Sequence, residues 1–250
     1  LFWVFNTSII QQKIKMIPDK SFYVNPKKIN DKGFTLDSIE SNHLVNVLRL
    51  NISDKIFLLD GLGTAYVAII EQLSKNSVAG LIKKKIKKYG ENKSCINLVP
   101  AIIKRDRFET LIEKAVELGV RQIQPLILDH CQKKTINLDR CKKIIISSAK
   151  QCKRSFFPVI NEPVSLELFL KGKKGDCFVG IQNASKSLIE FVNNKMRSIE
   201  LIIGPEGDFS KKEYDLLKKN NVQPFNLGQR RLRSETASVA ALSILNAHME

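Results

Sequence analysis

No apolar run in the 250-residue chain reaches the roughly 18–20 residues that a membrane-spanning helix needs. Cysteine is sparse. There are five, at Cys95, Cys131, Cys141, Cys152 and Cys177, an odd and scattered set with no C-x-x-C pair. That argues against a disulfide framework and a zinc ribbon, and no metal centre is expected. It also points to a reducing compartment, the cytoplasm. Cys141 and Cys152 fall on the apolar side of a helical pattern, which assigns them to packing. The opening residues lack a basic residue before Lys13 and a small-residue cleavage site, so they do not read as a secretory signal. Met16 reads as the start of a domain, which leaves residues 1–15 as a disordered extension or a short apolar arm on a neighbour. The phosphate-loop pattern G-x-x-x-x-G-K-[ST] is absent, and G-x-G-x-x-G does not follow the strands discussed below.

Acidic residues are outnumbered. Lys and Arg total 41 against 25 Asp and Glu, which leaves a net charge of +16. A chain so basic favours polyanionic partners, either nucleic acid or an anionic membrane surface. Its hydrophobic fraction of 43% is enough to build a core and excludes wholesale disorder.

Residues 16–90 read as mostly β. Short apolar or β-branched runs at Phe22–Val24, Phe34–Leu36, Lys55–Leu59, Ala65–Ile70 and Val78–Ile82 are divided by turn residues. Five short strands suggest a small barrel, with one helix over Ser41–Leu50. The basic run Lys83–Lys88, followed by Gly90-Glu91-Asn92, marks the domain linker. From Cys95 the period changes. Strands are expected at Ile96–Ile103, Val120–Leu128, Cys177–Ile181, Glu200–Ile203 and Gln223–Leu227. Helices are expected from about Asp106, over Leu138–Cys152, near Ser185–Asn193 and Lys211–Lys219, and over Thr236–Ala247. The alternation predicts an α/β domain over 91–250 with a mostly parallel sheet covered on both faces.

Ligands in such sheets bind on loops at the carboxyl ends of strands. One loop runs Gly204-Pro205-Glu206-Gly207-Asp208-Phe209-Ser210; its Ser210 and Glu213 form a capping box that opens a helix. The other runs from Gly228 to Glu235 and holds three arginines ahead of a helix rich in small residues. Either alone reads as a tight turn with a solvated charge cluster.

Together they are more specific. Ile203-Gly204-Pro205-Glu206-Gly207, followed about twenty residues on by Leu227-Gly228-x-Arg230-x-Leu232-Arg233-Ser234-Glu235-Thr236-Ala237, resembles the knotted SPOUT methyltransferases. Within them it is similar to the RsmE family, whose members methylate N3 of a uridine in 16S ribosomal RNA. Lys114–Val120 with Ile123 and Pro125, the Ala149-x-Gln151-Cys152-x-Arg154 segment with Pro158, and His43–Leu50 match further segments of that family, so the resemblance runs from about Met16 to the end.

The resemblance implies a PUA-like barrel, an α/β domain with a deep trefoil knot, an S-adenosylmethionine cofactor and a homodimer acting on the small ribosomal subunit. Ile203, Gly204, Pro205, Glu206, Gly207, Leu227, Gly228, Leu232, Arg233, Ser234, Thr236 and Ala237 would hold the cofactor. His43, Arg49, Lys104, Arg105 and Arg154 would face RNA. Arg233 and Arg154 are the candidates to stabilise charge on the uridine ring, and Glu206 and Glu235 the candidates to take its proton. For Glu235, charge stabilisation at a helix N-terminus is the plainer role. His130 as a base is the weaker reading beside that of a polar loop residue.

Three positions depart from the family pattern. Asp208 stands where a second glycine is usual, Lys150 where a glutamate is usual, and Asp129-His130-Cys131 where an Arg-Ser pair is common. The Asp208 and Lys150 changes keep a second function open: a catalytically inactive RNA-binding assembly factor of the same fold. A SPOUT enzyme acting on a tRNA ribose is a third.

Overall fold

The computed structural model describes residues 17–192 and 196–249. The expectation for residues 1–15 lies outside them. The chain forms two compact units: residues up to Glu91 together with Ala149–Phe156, and Asn92–Ser148 together with residues from Phe157 onward.

The first unit is a five-stranded sheet. Its strands are β1 (Ser21–Tyr23), β2 (Gly33–Thr35), β3 (Lys55–Leu59), β4 (Thr64–Leu73) and β5 (Val78–Lys87), in the order β1-β3-β4-β5-β2. Only the β1–β3 pair is parallel. The β3–β4 turn is built on Asp60, whose Oδ1 accepts from the N–H groups of Leu62 and Thr64 at 2.8 and 2.9 Å. Gly61 and Gly63 supply φ values of 73° and 103°, which side-chain-bearing residues adopt at a cost. Phe22, Phe34, Leu44, Ile56, Leu58 and Ile70 centre the core. Helix α1 (Ser38–Asn42) starts earlier than its apolar pattern suggests, because Asp37 caps it by accepting from Glu40 N–H at 2.9 Å. It continues as a π-turn over His43–Val47.

Two sequence expectations are corrected here. The basic run Lys83–Lys88 lies mostly within β5, paired antiparallel with β4, rather than in a linker. Its lysines are exposed along the strand, and a solvated strand face carries charge as readily as a linker does. Arg154 is the second. The segment Ala149–Phe156 packs with the first unit although the sequence assigns it to the second domain. Its Arg154 Nε lies 3.0 Å from Glu91 Oε2, with side chains only 3% and 9% exposed. Glu91 Oε1 also accepts from Phe156 N–H at 2.7 Å. A guanidinium enclosed in this way holds chain segments together and does not reach out to RNA. Lys150 donates to Glu40 Oε1 at 2.6 Å, which gives that departure a structural role in the same unit.

The second unit holds a six-stranded, all-parallel sheet. Along the chain come β6 (Cys95–Pro100), α2 (Arg105–Glu117), β7 (Gln122–Ile123), β8 (Leu126–Ile127), α3 (Leu138–Gln151), β9 (Val159–Ile160), β10 (Val164–Ser165) and α4 (Leu166–Gly172). There follow β11 (Asp176–Gly180), β12 (Ser198–Ile203), α5 (Lys211–Lys219), β13 (Gln223–Phe225) and α6 (Ser234–Met249). The order is β13-β11-β12-β6-β7-β9, with β8 and β10 as a separate parallel pair. Helix α2 buries Phe108, Leu111, Ile112, Ala115 and Val116, the face its period marks, and Gly119 ends it at φ 82°. The single strand expected over Val120–Leu128 is two short ones on either side of Pro125. The helix expected near Ser185 is one 3-10 turn, Leu188–Glu190, with a Ser187/Glu190 capping box.

Glu200, on β12, is 7% exposed and accepts from Asn97 Nδ2 at 3.0 Å. Burial raises its carboxyl above the usual range, and the Asn97 bond offsets only part of that. A carboxyl raised on folding is tolerated best when protonated, so stability falls as pH rises through the folded value. Glu200→Gln keeps an acceptor for Asn97 and removes the charge. The variant is expected to be more stable than the parent at neutral pH in urea unfolding, with the difference vanishing as pH falls towards the ordinary 4.5.

Candidate active site

Strands β13, β11 and β12 are neighbours, and they end in register: Gly180 is opposite Ile203 on one side and Phe225 on the other. Their three following loops therefore leave the sheet at one level. Together they enclose a cavity of about 690 Å³ lined by Gly180–Asn183, Ile203–Glu206 with Asp208, and Phe225–Leu227 with Arg230–Ser234 and Ala237. Crevices outside the carboxyl ends of parallel strands are where open α/β sheets bind ligands.

The first of the predicted loops is held by close packing. A Cβ on Gly204 would lie 2.8 Å from the Phe209 ring, and one on Gly207 would lie 2.9 Å from His130 Cβ. Asp208 takes φ 65°, the left-handed conformation for which the family's glycine is suited and which Asp tolerates better than most residues. Its Oδ1 accepts from its neighbour Phe209 N–H and its Oδ2 from the Tyr214 hydroxyl, both at 2.9 Å. Burial first, and the Asp208 bond second, push the Tyr214 phenol up to about 12, so it stays a donor. His130 Nδ1 lies 2.9 Å from the Asp208 carbonyl, an acceptor, so the ring nitrogen donates. The polar-loop reading of His130 fits this contact. Ser210 and Glu213 form the expected capping box and open α5.

The second loop turns at Gly228, φ 102°, whose N–H donates to Asn226 Oδ1 at 3.0 Å. Gln182 Nε2 donates to the carbonyls of Gly228 and Gln229 at 3.3 and 3.0 Å, so the β11 loop braces the β13 loop. Ser234 Oγ donates to the Gly204 carbonyl at 2.6 Å and ties both predicted loops together at the start of α6.

Of the predicted cofactor residues, Ile203, Gly204, Pro205, Glu206, Leu227, Leu232, Arg233, Ser234 and Ala237 line the cavity. Gly207 and Gly228 shape the loops without lining it, and Thr236 is exposed on α6. His43 and Arg49 are exposed in the first unit, and Lys104 and Arg105 at the start of α2.

The two candidate carboxylates meet through a residue that sequence reading missed. Arg107 Nη1 lies 2.9 Å from Glu206 Oε1, and its Nε lies 3.7 Å from Glu235 Oε1. Arg231 Nη2 donates to the Glu206 carbonyl at 2.8 Å. Glu235 Oε2 is buried without a hydrogen-bond partner. Arg107 sits in the first turns of α2, 99 residues before Glu206, where a basic residue reads as solvated surface. The β11 loop Gly180–Asn183 was missed as well, although its place at a strand's carboxyl end was a usable signal.

Fold and site together define a class: RNA methyltransferases that pair a PUA domain with a parallel α/β domain. The family model of the RNA methyltransferase domain matches residues 90–246, and that of the RNA methyltransferase PUA domain matches residues 36–83. The chain is 30% identical over 236 residues to the ribosomal RNA small subunit methyltransferase E of Rickettsia conorii, covering 91% of this chain and 96% of that protein. Among solved structures, the ribosomal RNA small subunit methyltransferase E of Neisseria gonorrhoeae bound to S-adenosyl methionine is similar with a TM-score of 0.85 and 27% identity, covering 92% of this chain and 98% of that one. A putative methyltransferase of Legionella pneumophila with bound cofactor SAM is similar with a TM-score of 0.83 and 30% identity, over 92% and 98% of the two chains. The chain belongs to the ribosomal RNA small subunit methyltransferase E family.

The two loop glycines should fail differently when substituted. Gly204→Ala drives a methyl into the Phe209 ring, an overpacking that costs about 1–3 kcal/mol. Gly228→Ala has no atom within 4 Å of its new Cβ, so only backbone strain of about 1–2 kcal/mol is expected. Thermal unfolding would show both costs, one from packing and the other from backbone strain. Calorimetry with S-adenosylmethionine would show weakened binding for both.

Proposed function

We infer that the protein transfers a methyl group from S-adenosylmethionine to small-subunit ribosomal RNA, at N3 of a uridine. The observation that carries this reading is the meeting of Arg233 and Glu206 in the lining of one strand-end cavity, with Arg107 joining Glu206 to Glu235 behind it, in a chain of this family.

The cavity suits the cofactor. Its volume lies within the roughly 300–1,000 Å³ of small-molecule sites, and Ile181, Ile203, Leu227 and Leu232 offer apolar surface to an adenine. Around Gly228 the space where a side chain would stand is open, which permits close backbone approach. When bound, S-adenosylmethionine supplies an electrophilic methyl on a sulfonium. The protein's task is to orient the base and manage its proton. Uridine N3 must lose a proton as the new N–C bond forms. Glu206 or Glu235 accepts it, while Arg233 stabilises negative charge spreading to the ring oxygens. Arg107 acts as a positioning residue that fixes both carboxylates.

Nothing favours the inactive assembly-factor reading over this one. Asp208 holds the loop as glycine would, and Lys150 is engaged with Glu40. The trefoil knot belongs to the same proposal. Strand β13 is at the sheet edge, yet the helix after it packs on α2 and on the central strands β12 and β6, so the chain returns across the sheet. A homodimer acting in the cytoplasm completes the reading. No disulfide joins the described cysteines, and no described helix is long and apolar enough to cross a membrane.

Single-turnover methylation of immature small subunits at saturating cofactor, with nucleoside mass spectrometry of the product, tests this. Arg233→Lys keeps the charge and loses the planar fork, so the rate should fall by about a hundredfold while cofactor affinity holds. Arg107→Ala releases both carboxylates and should also cost about a hundredfold through misplacement. A parent that binds cofactor and methylates no RNA would favour the assembly factor.

A further inference from the structure

Helix α2 presents a second feature on the side away from Arg107. Two residues before it, Arg105 borders a separate cleft of about 280 Å³, formed with Lys133, Thr135–Asn137 and the first turn of α3. The floor is apolar: Ile103, Phe108 and Cys141 are 3%, 2% and 3% exposed. Ile136 adds a half-buried wall. The rim is cationic, with Arg105, Lys133 and Arg140 all exposed.

Glu109 organises this rim. Its Oε1 accepts from Arg105 Nε at 3.0 Å, and its Oε2 accepts from Arg140 Nε and Nη2 at 3.3 and 3.1 Å. Those bonds hold the Glu109 carboxyl below its usual range, Arg140 contributing most, so it stays ionised. One carboxylate thus bonds two guanidinium groups at the mouth of an apolar slot. Three cations against one carboxylate still leave the lining at +2. The catalytic reading uses none of these groups.

An apolar slot edged by carboxylate-bonded guanidinium groups matches one ligand chemistry well. A nucleobase is flat and apolar on its faces, stacks on aromatic rings or guanidinium planes, and carries an anionic phosphate beside it. The volume is just under the roughly 300 Å³ at which small-molecule sites begin, enough for one ring system rather than a large ligand. We propose that this cleft is a subsite for one unpaired nucleobase of the RNA substrate, near the methylated nucleotide, with the adjoining phosphate on Lys133 and Arg140. It rests on the reading of the protein as an RNA methyltransferase and adds a second point of contact, across α2 from the cofactor cavity. A base held there fixes the approach of the target strand and selects RNA in which a flanking nucleotide is unpaired.

The test joins kinetics to crosslinking on the full chain. Lys133→Glu, at a residue with no ion pair among those described, should raise the KM for undermethylated small subunits about tenfold or more and leave S-adenosylmethionine affinity unaltered. Stacking losses of about 5- to 150-fold per base are typical of such sites, and Arg140→Ala should fall in that range. Lys142→Ala removes one charge from α3 outside the cleft lining and should change KM less than either. With Thr135 replaced by the photocrosslinking residue p-benzoylphenylalanine, irradiation on small subunits should join the protein to a single ribosomal RNA nucleotide close to the methylated one. KM values equal to the parent's would overturn the proposal, as would crosslinks that reach only a second copy of this chain or scatter over the RNA. Failure of the underlying reading shows separately, as absence of methylation by the parent.

Discussion

Everything at the candidate site depends on one register. Gly180, Ile203 and Phe225 are paired across three adjacent parallel strands, so the chain leaves the sheet three times at the same height. Gly180 has no side chain in the middle of that row. A Cβ there would meet Ile203 Cδ1 at 3.2 Å and the Phe225 ring at 3.5 Å. A parallel pair displaced by one residue turns every side chain to the other face. Here it would also separate Ser234 from the Gly204 carbonyl and Gln182 from the Gly228 loop. The loop contacts are short-range bonds that this register makes possible.

The first unit uses the opposite strategy. Its sheet is mostly antiparallel and local, and the segment that seals it arrives from more than sixty residues away, by the Arg154–Glu91 pair. A buried ion pair gains little net stability after desolvation, but losing one member leaves an uncompensated charge. Such a pair makes one docking of the segment much better than its neighbours. The same motif invites a functional reading from sequence, where an arginine between glutamine and proline in a basic protein resembles an RNA contact. Burial decides between the two, and burial is not written in so short a window.

The elements legible in the sequence are those whose cause is local. The apolar stripe of α2, the glycine that ends it, the Ser210 cap and the Asp60 turn each follow from residues within a turn or two. What escaped was long-range. The lysines of β5 look like a linker until β4 supplies partners along its whole length. Arg107 looks like helix surface until Glu206 and Glu235 arrive beside it. The two loops after β12 and β13 were readable because family resemblance marks them as linear motifs, whereas the β11 loop, with no motif of its own, was readable only by its place after a strand.

The position that departs most plainly from the family pattern shows how a loop keeps its shape through a change of residue. Left-handed backbone costs an ordinary residue about 1–2 kcal/mol. Asp208 recovers part of that by local hydrogen bonding, since its carboxylate accepts from Phe209 N–H and from Tyr214 on the helix that the loop opens. His130, at another departure, donates to the Asp208 carbonyl and fills the space beside Gly207. The two changes are in contact, so they are better understood as one repacking than as two losses. A glycine at 208 would relax the backbone but leave the Tyr214 hydroxyl without its acceptor. The loop therefore reaches the strand-end cavity with a left-handed residue at 208, held by side chains the motif does not contain.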